Sequence, residues 1–360
     1  MAFNLEKFFI DVFAPQKDEV VTVMYDLPHE NITDKPAWLE RRKMAKAWHK
    51  IITGFAKRYD LTVNPPLSYL ATGANNANIP EFGILNNQKT RLEDVISKST
   101  IVIVMPQYSA TAPLFILTKK YKKLRVGSMP GVAKFMEETG LSADYKKIAE
   151  TCRHLAPHFS KATGVAVEFS TGHHCHFDLS NHNHIGCDNG CLWPRSDSGT
   201  EEALHNLPSG EVYTVPNEAV TSKTHGELPV MVKGELMVFA VENNRIINVI
   251  GDSPLAAQFK IDFRSEPAMT NIAEVAIGCN DKAKVTGVIL EDEKAGFHWA
   301  YGRSEHLGGT TGPEQFLSPS RICHVDYVYA VGCPIVCKKF EFIFEDGSRK
   351  TAIKDGVLLV

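Results

Sequence analysis

Two apolar runs, VVTVMY at residues 20–25 and IVIVM at residues 101–105, carry the main evidence for the fold of the first half of the chain. Short β-branched runs without polar alternation are typical of parallel strands that are buried on both faces. Amphipathic segments lie between and after these runs, and this order is typical of α/β proteins. The pattern therefore predicts a Rossmann-like N-terminal domain in which helices surround a mainly parallel sheet.

Two of the amphipathic segments are predicted to be helices. The first follows Asp34, a residue suited to a helix N-cap, and the second begins at Ser142. The residues expected on their buried faces recur at helical spacing and are Trp48, Ile51, Ile52 and Phe55, then Tyr145, Ile148, Ala149, Cys152 and Leu155. No dinucleotide fingerprint accompanies them, because Gly127 and Gly131 are too few and too far apart for one.

The second half of the chain has the pattern of a β-rich domain. Strand-like segments alternate there with Gly, Asn and Asp, and residues 236–241 and 245–250 are predicted to form a hairpin at Asn243-Asn244. We therefore place an α/β domain at residues 1–164 and a β-rich domain at residues 165–360.

Composition excludes several classes of protein. The 360 residues include 39 Lys and Arg against 42 Asp and Glu, so a net charge of −3 offers no field for nucleic acid. No apolar run reaches about 18 residues, and the N-terminal MAFNLEKFF is charged too early for a secretory signal. The 8 cysteines lack the density of a secreted disulfide scaffold. We expect a cytoplasmic protein with reduced thiols that binds neither nucleic acid nor membrane.

The sharpest local signal for chemistry is His324-Val-Asp326, within SRICHVDYVYAVG at residues 320–332. Residues two apart in a strand point to the same face, so this imidazole and carboxylate can hold one cation from a rigid backbone. A surface hydrogen-bonded pair is the alternative for such a common motif. The choice between the two depends on what lies near the pair in the fold.

Further acids and a histidine interrupt apolar stretches upstream. Glu293 and His298 lie in ILEDEKAGFHWAYG, Glu274 lies in NIAEVAIGCN, and Glu211 follows a Pro-Ser-Gly turn in LPSGEVYTVPNE. Each acid taken alone also fits an exposed strand face. Buried carboxylates and histidines are costly unless they are paired or coordinated, and oxygen with imidazole is a ligand set for divalent metals. Together the segments predict a metal site in the β-rich domain.

The blocks PSGEVYT, AEVAIGCN, DEKAGFHWAYG and ICHVD, in this order and spacing, resemble the thermophilic metalloprotease family, which includes aminopeptidases T and S. The resemblance is strongest from residue 207 to residue 332. It implies a homodimer and a two-metal centre, with a general base five residues before the histidine, at Glu293. The metal-ligand positions implied by the resemblance are Glu211, Glu274, His298, Glu305, His324 and Asp326.

The chain departs from this family in two ways. Glu305 stands where the family has a tyrosine ligand, with His306 as the neighbouring alternative, and the chain is shorter than the aminopeptidases. Shorter relatives of the same fold include the 2,5-dihydroxypyridine 5,6-dioxygenases, which cleave a ring with one iron held by two His and one Asp. Those enzymes lack the glutamates that match Glu211 and Glu274, and both glutamates are present here.

The resemblance therefore implies a metal-dependent hydrolase that cleaves the N-terminal amide bond of a short peptide or a related small molecule. Two Zn, Co or Mn ions per subunit are expected. One alternative is a ring-cleaving dioxygenase with non-haem Fe. Another is a catalytically inactive binding or scaffold protein that keeps the fold, and the presence of all the acids and histidines named above counts against it.

A histidine- and cysteine-rich run, HHCHFDLSNHNHIGCDNGC at residues 173–191, is open to two interpretations. It can hold a metal or substrate, or it can supply strand and loop residues near the mouth of the site. Its spacing matches no standard structural zinc finger, so the second interpretation is favoured.

Overall fold

A computed structural model describes residues 3–181, 184–194 and 203–359. Its chain divides into two compact units. The first comprises described residues within 1–149, 188–209 and 281–283, and the second comprises those within 150–187, 210–280 and 284–360.

The regular elements are numbered here in chain order. The α-helices are α1 (Leu5–Phe13), α2 (Pro36–Ala56), α3 (Leu92–Ile96), α4 (Thr111–Lys120), α5 (Tyr145–Lys161), α6 (Pro254–Ser265) and α7 (Ile289–Asp292). Strands of the first half are β1 (Val20–Leu27), β2 (Thr62–Val63), β3 (Leu67–Leu70), β4 (Phe82–Leu85), β5 (Gln88–Arg91), β6 (Ile101–Val104) and β7 (Arg125–Ser128). The remaining strands are β8 (Ala162–Phe169), β9 (His174–Asp178), β10 (Ile185–Asp188), β11 (Leu204–Asn206), β12 (Glu211–Thr214), β13 (His225–Val232), β14 (Glu235–Glu242), β15 (Arg245–Ile250), β16 (Ile272–Gly278), β17 (Phe297–Gly302), β18 (His324–Val328), β19 (Cys337–Phe344), β20 (Arg349–Lys354) and β21 (Val357–Leu358).

The first unit contains a mainly parallel sheet with the strand order β11-β7-β6-β1-β3-β4-β5, and β2 also pairs with β1. The two apolar runs of the sequence form β1 and β6, which pair in parallel from Val21↔Ile101 to Met24↔Val104. Both predicted strands are thus confirmed, and the fold belongs to the α/β class. An antiparallel hairpin of β4 and β5 completes one edge of this sheet.

The predicted helices are present, with three corrections. Helix α5 begins at Tyr145 and not at Ser142, which lies in a 3-10 turn, because the Asp144 carboxylate accepts hydrogen bonds from the first N–H groups of the helix. Helix α2 begins at Pro36, its N-cap is Lys35, and Asp34 does not cap it. Proline at the first helical position fixes the helix start, while the Asp34 carboxylate accepts a hydrogen bond from the Lys35 N–H and pairs with Arg42. Ile51 is 49% exposed, so it does not share the buried face of Trp48. The five residues expected on the buried face of α5 are all buried.

The second unit contains two sheets. One has eight strands in the order β15-β14-β13-β9-β8-β19-β20-β21, and all of its pairings are antiparallel. The predicted hairpin joins β14 to β15, and its turn residues Asn243 and Asn244 have φ of 49° and 62°, as a tight hairpin turn requires. The other sheet has five strands in the order β10-β12-β16-β17-β18.

The five-stranded sheet has two chemically different faces. One face is aromatic: Trp299 stacks on Tyr327 with ring centroids 5.3 Å apart, and Phe239 packs edge-on against Trp299 at 6.4 Å. Residues two apart share a face, so the opposite face carries positions 298, 300 and 302 of β17. That opposite face carries the polar residues described below.

Among the described residues, no helix is both long enough and apolar enough to cross a bilayer.

Candidate metal centre

Four neighbouring strands of the five-stranded sheet supply the acids and histidines singled out in the sequence. Glu211 begins β12, Glu274 lies in β16, His298 lies in β17, and His324 and Asp326 lie in β18. Strand pairing sets Glu274 opposite Ala300, and Ala300 opposite Asp326. Because the side-chain period of a strand is two residues, all five side chains belong to one face of the sheet.

Small residues make room for this cluster. Ala276, Gly278, Ala300 and Gly302 alternate with the large residues of the opposite face on the two central strands. A Cβ at Gly302, whose φ is 105°, would collide with the carbonyl oxygen of Cys323. The absence of a side chain therefore allows β17 and β18 to approach closely next to His324.

A first ligand group consists of Glu211, Glu274 and His298, all buried. The His298 Nε2 atom lies 3.4 Å from Oε2 of Glu211 and 3.7 Å from Oε1 of Glu274. One donor atom from each residue falls within 4.8 Å of the others. A single cation can therefore be reached by all three.

A second ligand group consists of Glu274, His324 and Asp326. The His324 Nε2 atom lies 3.0 Å from Oε2 of Glu274 and 3.4 Å from Oδ1 of Asp326. Its other ring nitrogen, Nδ1, lies 2.7 Å from the backbone oxygen of Arg303, which fixes the ring orientation. Glu274 belongs to both groups and turns one carboxylate oxygen toward each histidine.

Glu293 and Lys294 lie beside the first group, in a 3-10 turn at Glu293–Ala295. The Lys294 ammonium is fully buried and donates to Oε1 of Glu211 at 2.5 Å and to Oε1 of Glu293 at 2.7 Å. Glu293 itself has a 16% exposed side chain. It is close to the ligands but belongs to neither ligand group.

The carboxylates and histidines of this centre shift each other's pKa. Burial alone would raise the pKa of Glu274, yet its interactions with His298 and His324 hold it well below the usual range. Burial likewise opposes protonation of the histidines, but Glu211 and Glu274 raise the pKa of His298, and Asp326 and Glu274 raise that of His324. The carboxylates and the two imidazole rings thus favour each other's charged forms.

The donor set fits a divalent cation. Oε2 of Glu211 is a buried carboxylate oxygen without a hydrogen-bond partner, and it is directed at His298 and Glu274. A buried acceptor without a donor is unfavourable unless a cation or water satisfies it. Carboxylate oxygen and imidazole nitrogen suit several first-row divalent metals and do not select one of them.

Burial also decides the pKa of Glu293. It raises the pKa of this carboxyl to about 8, with Lys294 opposing and the charges of Glu211 and Asp326 contributing. A carboxyl that gains and loses its proton near neutral pH has the property that a general acid or base needs.

Glu305 and His306 lie on the segment after β17, and their side chains have different surroundings. The Glu305 carboxylate accepts a hydrogen bond from Arg303 at 2.7 Å, its side chain is 51% exposed, and it is outside both ligand groups. The His306 ring packs edge-on against His324, with ring centroids 5.0 Å apart. Of the two residues, His306 is therefore in contact with the second group.

Glu218 holds the segment after β17 in place through hydrogen bonds. Its carboxylate accepts hydrogen bonds from the Ser304 hydroxyl at 2.6 Å, from the Thr311 hydroxyl at 3.1 Å and from the backbone N–H of Thr310. The side chain of Asn271, just before β16, donates to it at 2.5 Å. The position of His306 is thus held from both ends of its loop.

Residues of the histidine- and cysteine-rich run do not join the ligand groups found among the described residues. His176 faces His225 with ring centroids 5.5 Å apart, and His173 hydrogen-bonds Thr171 at 2.9 Å. A Cβ added at Gly308 would lie 2.7 Å from the Cβ of His184, so this histidine borders the loop of His306. His182 lies outside the described residues.

Comparison with known proteins identifies the fold. No protein-family profile matches the chain, and no curated protein sequence matches it. One similar solved structure is 2,5-dihydroxypyridine dioxygenase from Pseudomonas putida KT2440, at 15% identity and a TM-score of 0.62, covering 99% of this chain and 97% of that one. Another is AmpT, an aminopeptidase T from Thermus thermophilus, at 14% identity and a TM-score of 0.56, covering 99% of both chains. This chain shares their fold. Both neighbours are enzymes, one an oxygenase and the other a peptidase.

Lys294 is a site residue that the sequence reasoning missed. A lysine next to a glutamate is usually interpreted as part of a solvated surface. Only the fold shows that the lysine side chain is buried. The strand sequences did contain a signal for which face of the sheet holds the site. In EVAIG and HWAYG, polar or small residues alternate with large apolar ones, which marks one face as crowded and the other as open.

Proposed function

We propose that this protein is a metal-dependent hydrolase that cleaves an amide bond, most simply the N-terminal peptide bond of a short peptide. Glu211, Glu274, His298, His324 and Asp326 are proposed to hold two divalent ions per subunit, of Zn, Co or Mn. When bound, the ions supply Lewis acidity that polarises a carbonyl and makes water easier to deprotonate.

The arrangement of Glu274 carries this proposal. Its Oε1 lies 3.7 Å from Nε2 of His298, and its Oε2 lies 3.0 Å from Nε2 of His324. A carboxylate whose two oxygens face two separate histidines is suited to join two neighbouring cations. A centre for one ion has no need of a second group that contains Glu211 and His298.

Glu293 is the proposed general base. Its carboxylate accepts a proton from the attacking water and returns it to the leaving amine, a role that fits a carboxyl with a pKa near neutrality. Lys294 holds one of its oxygens at 2.7 Å, which leaves the other oxygen for the proton. Because Glu293 is outside both ligand groups, it is available for proton transfer.

A second candidate function is ring cleavage by a non-haem iron dioxygenase. His298, His324 and Asp326 provide two imidazoles and one carboxylate, a set that also suits ferrous iron. The higher TM-score of 0.62 belongs to the dioxygenase neighbour. The glutamates at 211 and 274 favour the hydrolase, since they add two carboxylates that the smaller set does not require.

Metal content and turnover, measured on the same preparation, test the proposal. Protein purified anaerobically should carry two zinc-like ions per chain and release amino acids from a panel of short peptides. One ferrous ion per chain, with oxygen uptake on dihydroxypyridine-like compounds and no peptide cleaved, would instead establish the dioxygenase.

Ligand variants test the site itself. His324→Ala or Asp326→Ala should reduce the metal content, because a strand cannot move a neighbouring side chain into the vacated position. His225→Ala is the matched control, since His225 is exposed and belongs to neither ligand group. Full metal occupancy in both ligand variants would show that the ions bind elsewhere.

A further inference from the structure

We propose that Lys294 is a positioning residue that presents Glu211 to the metal through one oxygen only. This inference rests on the proposed metal centre and extends it to a residue that binds no metal. Lys294 donates to Oε1 of Glu211 at 2.5 Å, while Oε2 of the same carboxylate lies 3.4 Å from His298 and has no hydrogen-bond partner. The ammonium therefore occupies one oxygen and leaves the other for the ion.

The backbone around Lys294 is held in place, so its ammonium has a defined position. The Lys294 carbonyl oxygen accepts a hydrogen bond from the Asn280 N–H at 3.0 Å, and the Gly278 N–H donates to Gly296 at 2.8 Å. A Cβ at Gly278 would collide with the backbone of Glu293 and Lys294. The turn at Glu293–Ala295 is thus packed directly on the end of β16.

The contact between Lys294 and Glu211 is buried, so the positioning of Glu211 depends on Lys294 itself. Lys294 is fully buried and Glu211 has a 9% exposed side chain, so water cannot replace this contact easily. Without the ammonium, both oxygens of Glu211 are free to bind an ion. A carboxylate that binds through two oxygens adds a ligand to the metal and changes its coordination.

The visible absorption of Co²⁺ reports coordination directly, so the test uses protein loaded with Co²⁺ alone. Lys294→Met should shift the visible Co²⁺ bands and lower their intensity relative to wild type. Lys284→Met, the same substitution at an exposed lysine, should leave the spectrum unchanged.

Lys294→Met alone leaves the carboxyl groups of Glu211 and Glu293 without their ammonium partner and can prevent folding. The double variant Lys294→Met/Glu293→Gln also replaces the second carboxyl group that Lys294 contacts, so that Glu211 is the one carboxylate left without the ammonium. It should show the same spectral shift, while Glu293→Gln alone should retain the wild-type spectrum. This comparison separates the effect of Lys294 on Glu211 from the effect of its contact with Glu293.

The outcomes are distinct. A wild-type spectrum in the double variant would overturn the role of Lys294 while leaving the metal centre intact. If wild-type protein shows no Co²⁺ bands, the metal centre fails and the positioning role fails with it. A shift in the double variant, together with none in Glu293→Gln or Lys284→Met, supports the proposal.

Discussion

Glu293 lies beside the two ligand groups and belongs to neither of them. A variant at this position can therefore separate proton transfer from metal binding. Glu293→Gln is nearly isosteric but cannot accept a proton at neutral pH. We expect the metal content to stay at the wild-type level while turnover falls by about 10²- to 10⁴-fold, the usual effect of losing one positioned acid or base. Metal analysis and peptide turnover on the same sample check this.

Two outcomes would contradict the role of Glu293. Wild-type turnover by the Gln variant would remove it from the mechanism. Loss of metal in that variant would make it a ligand instead. His324→Ala provides the comparison, because removing a ligand should lower occupancy as well as rate.

The neighbours Glu305 and His306 offer a direct choice between two residues. The resemblance to the metalloproteases predicts Glu305 as a ligand, yet its carboxylate pairs with Arg303, while the His306 ring contacts His324. We expect His306→Ala to weaken metal binding at the second group more than Glu305→Ala does. Isothermal titration with Zn²⁺ in both variants measures the difference, and the reverse order would establish Glu305 as the ligand.

The packing of the Glu293–Ala295 turn on β16 has a measurable energy. Gly278→Ala places a methyl group against the backbone of that turn, and overpacking of this kind typically costs about 1 to 3 kcal/mol. We expect urea unfolding to show that loss, together with weaker Zn²⁺ binding, because Lys294 moves with the turn.

Gly54 in α2 provides a matched glycine. A Cβ at this position meets nothing within 4 Å, and alanine is favoured over glycine in a helix by roughly 0.5 to 1 kcal/mol. Gly54→Ala should therefore raise the free energy of unfolding and leave metal binding unchanged. Equal effects of the two substitutions would mean that the turn adapts to the added methyl group.

The elements also show how far sequence reasoning reaches. The strands β1 and β6 and the hairpin at Asn243-Asn244 were predictable because each depends on a local pattern. Strand β11 was not, because three residues with no periodicity pair in parallel with the distant strand β7. The start of α2 was displaced from Asp34 because proline overrides a weaker capping preference.

The candidate site was likewise predictable from the sequence only in part. Period-two spacing predicted that His324 and Asp326 share a face, and the structure sets their nearest polar atoms 3.4 Å apart. That Glu274 would lie between two histidines depends on the order of the strands, which local spacing does not give. The inward turn of Lys294 depends on tertiary packing and was likewise out of reach.

For the molecule as a whole, the raised pKa values of two histidines predict that metal binding depends on pH. Neighbouring carboxylates raise the pKa values of His298 and His324 well above that of a free imidazole, so a metal ion must compete with protons for both rings. Affinity should therefore rise as pH rises, and each binding event should release protons. Calorimetric titration with Zn²⁺ in two buffers of different ionisation enthalpy counts them.

Binding should also stabilise the folded chain, by about 2.7 kcal/mol when free Zn²⁺ is 100 times its dissociation constant. Proton release without this stabilisation would indicate binding to the unfolded chain. His225→Ala, which leaves both ligand groups intact, should reproduce the wild-type result.

The place of β18 in its sheet has a kinetic consequence. Within the described residues β18 ends the strand order, whereas β12, β16 and β17 each have a neighbour on both sides. Edge strands open locally at lower free energy than central ones. His324 and Asp326 should thus release their ion well before Glu211 and His298 do, and rapid mixing of Co²⁺-loaded protein with a chelator should show two phases, one ion in each. The ion of the first ligand group would then exchange slowly and the ion of the second group rapidly, so that activity would depend on the concentration of free metal.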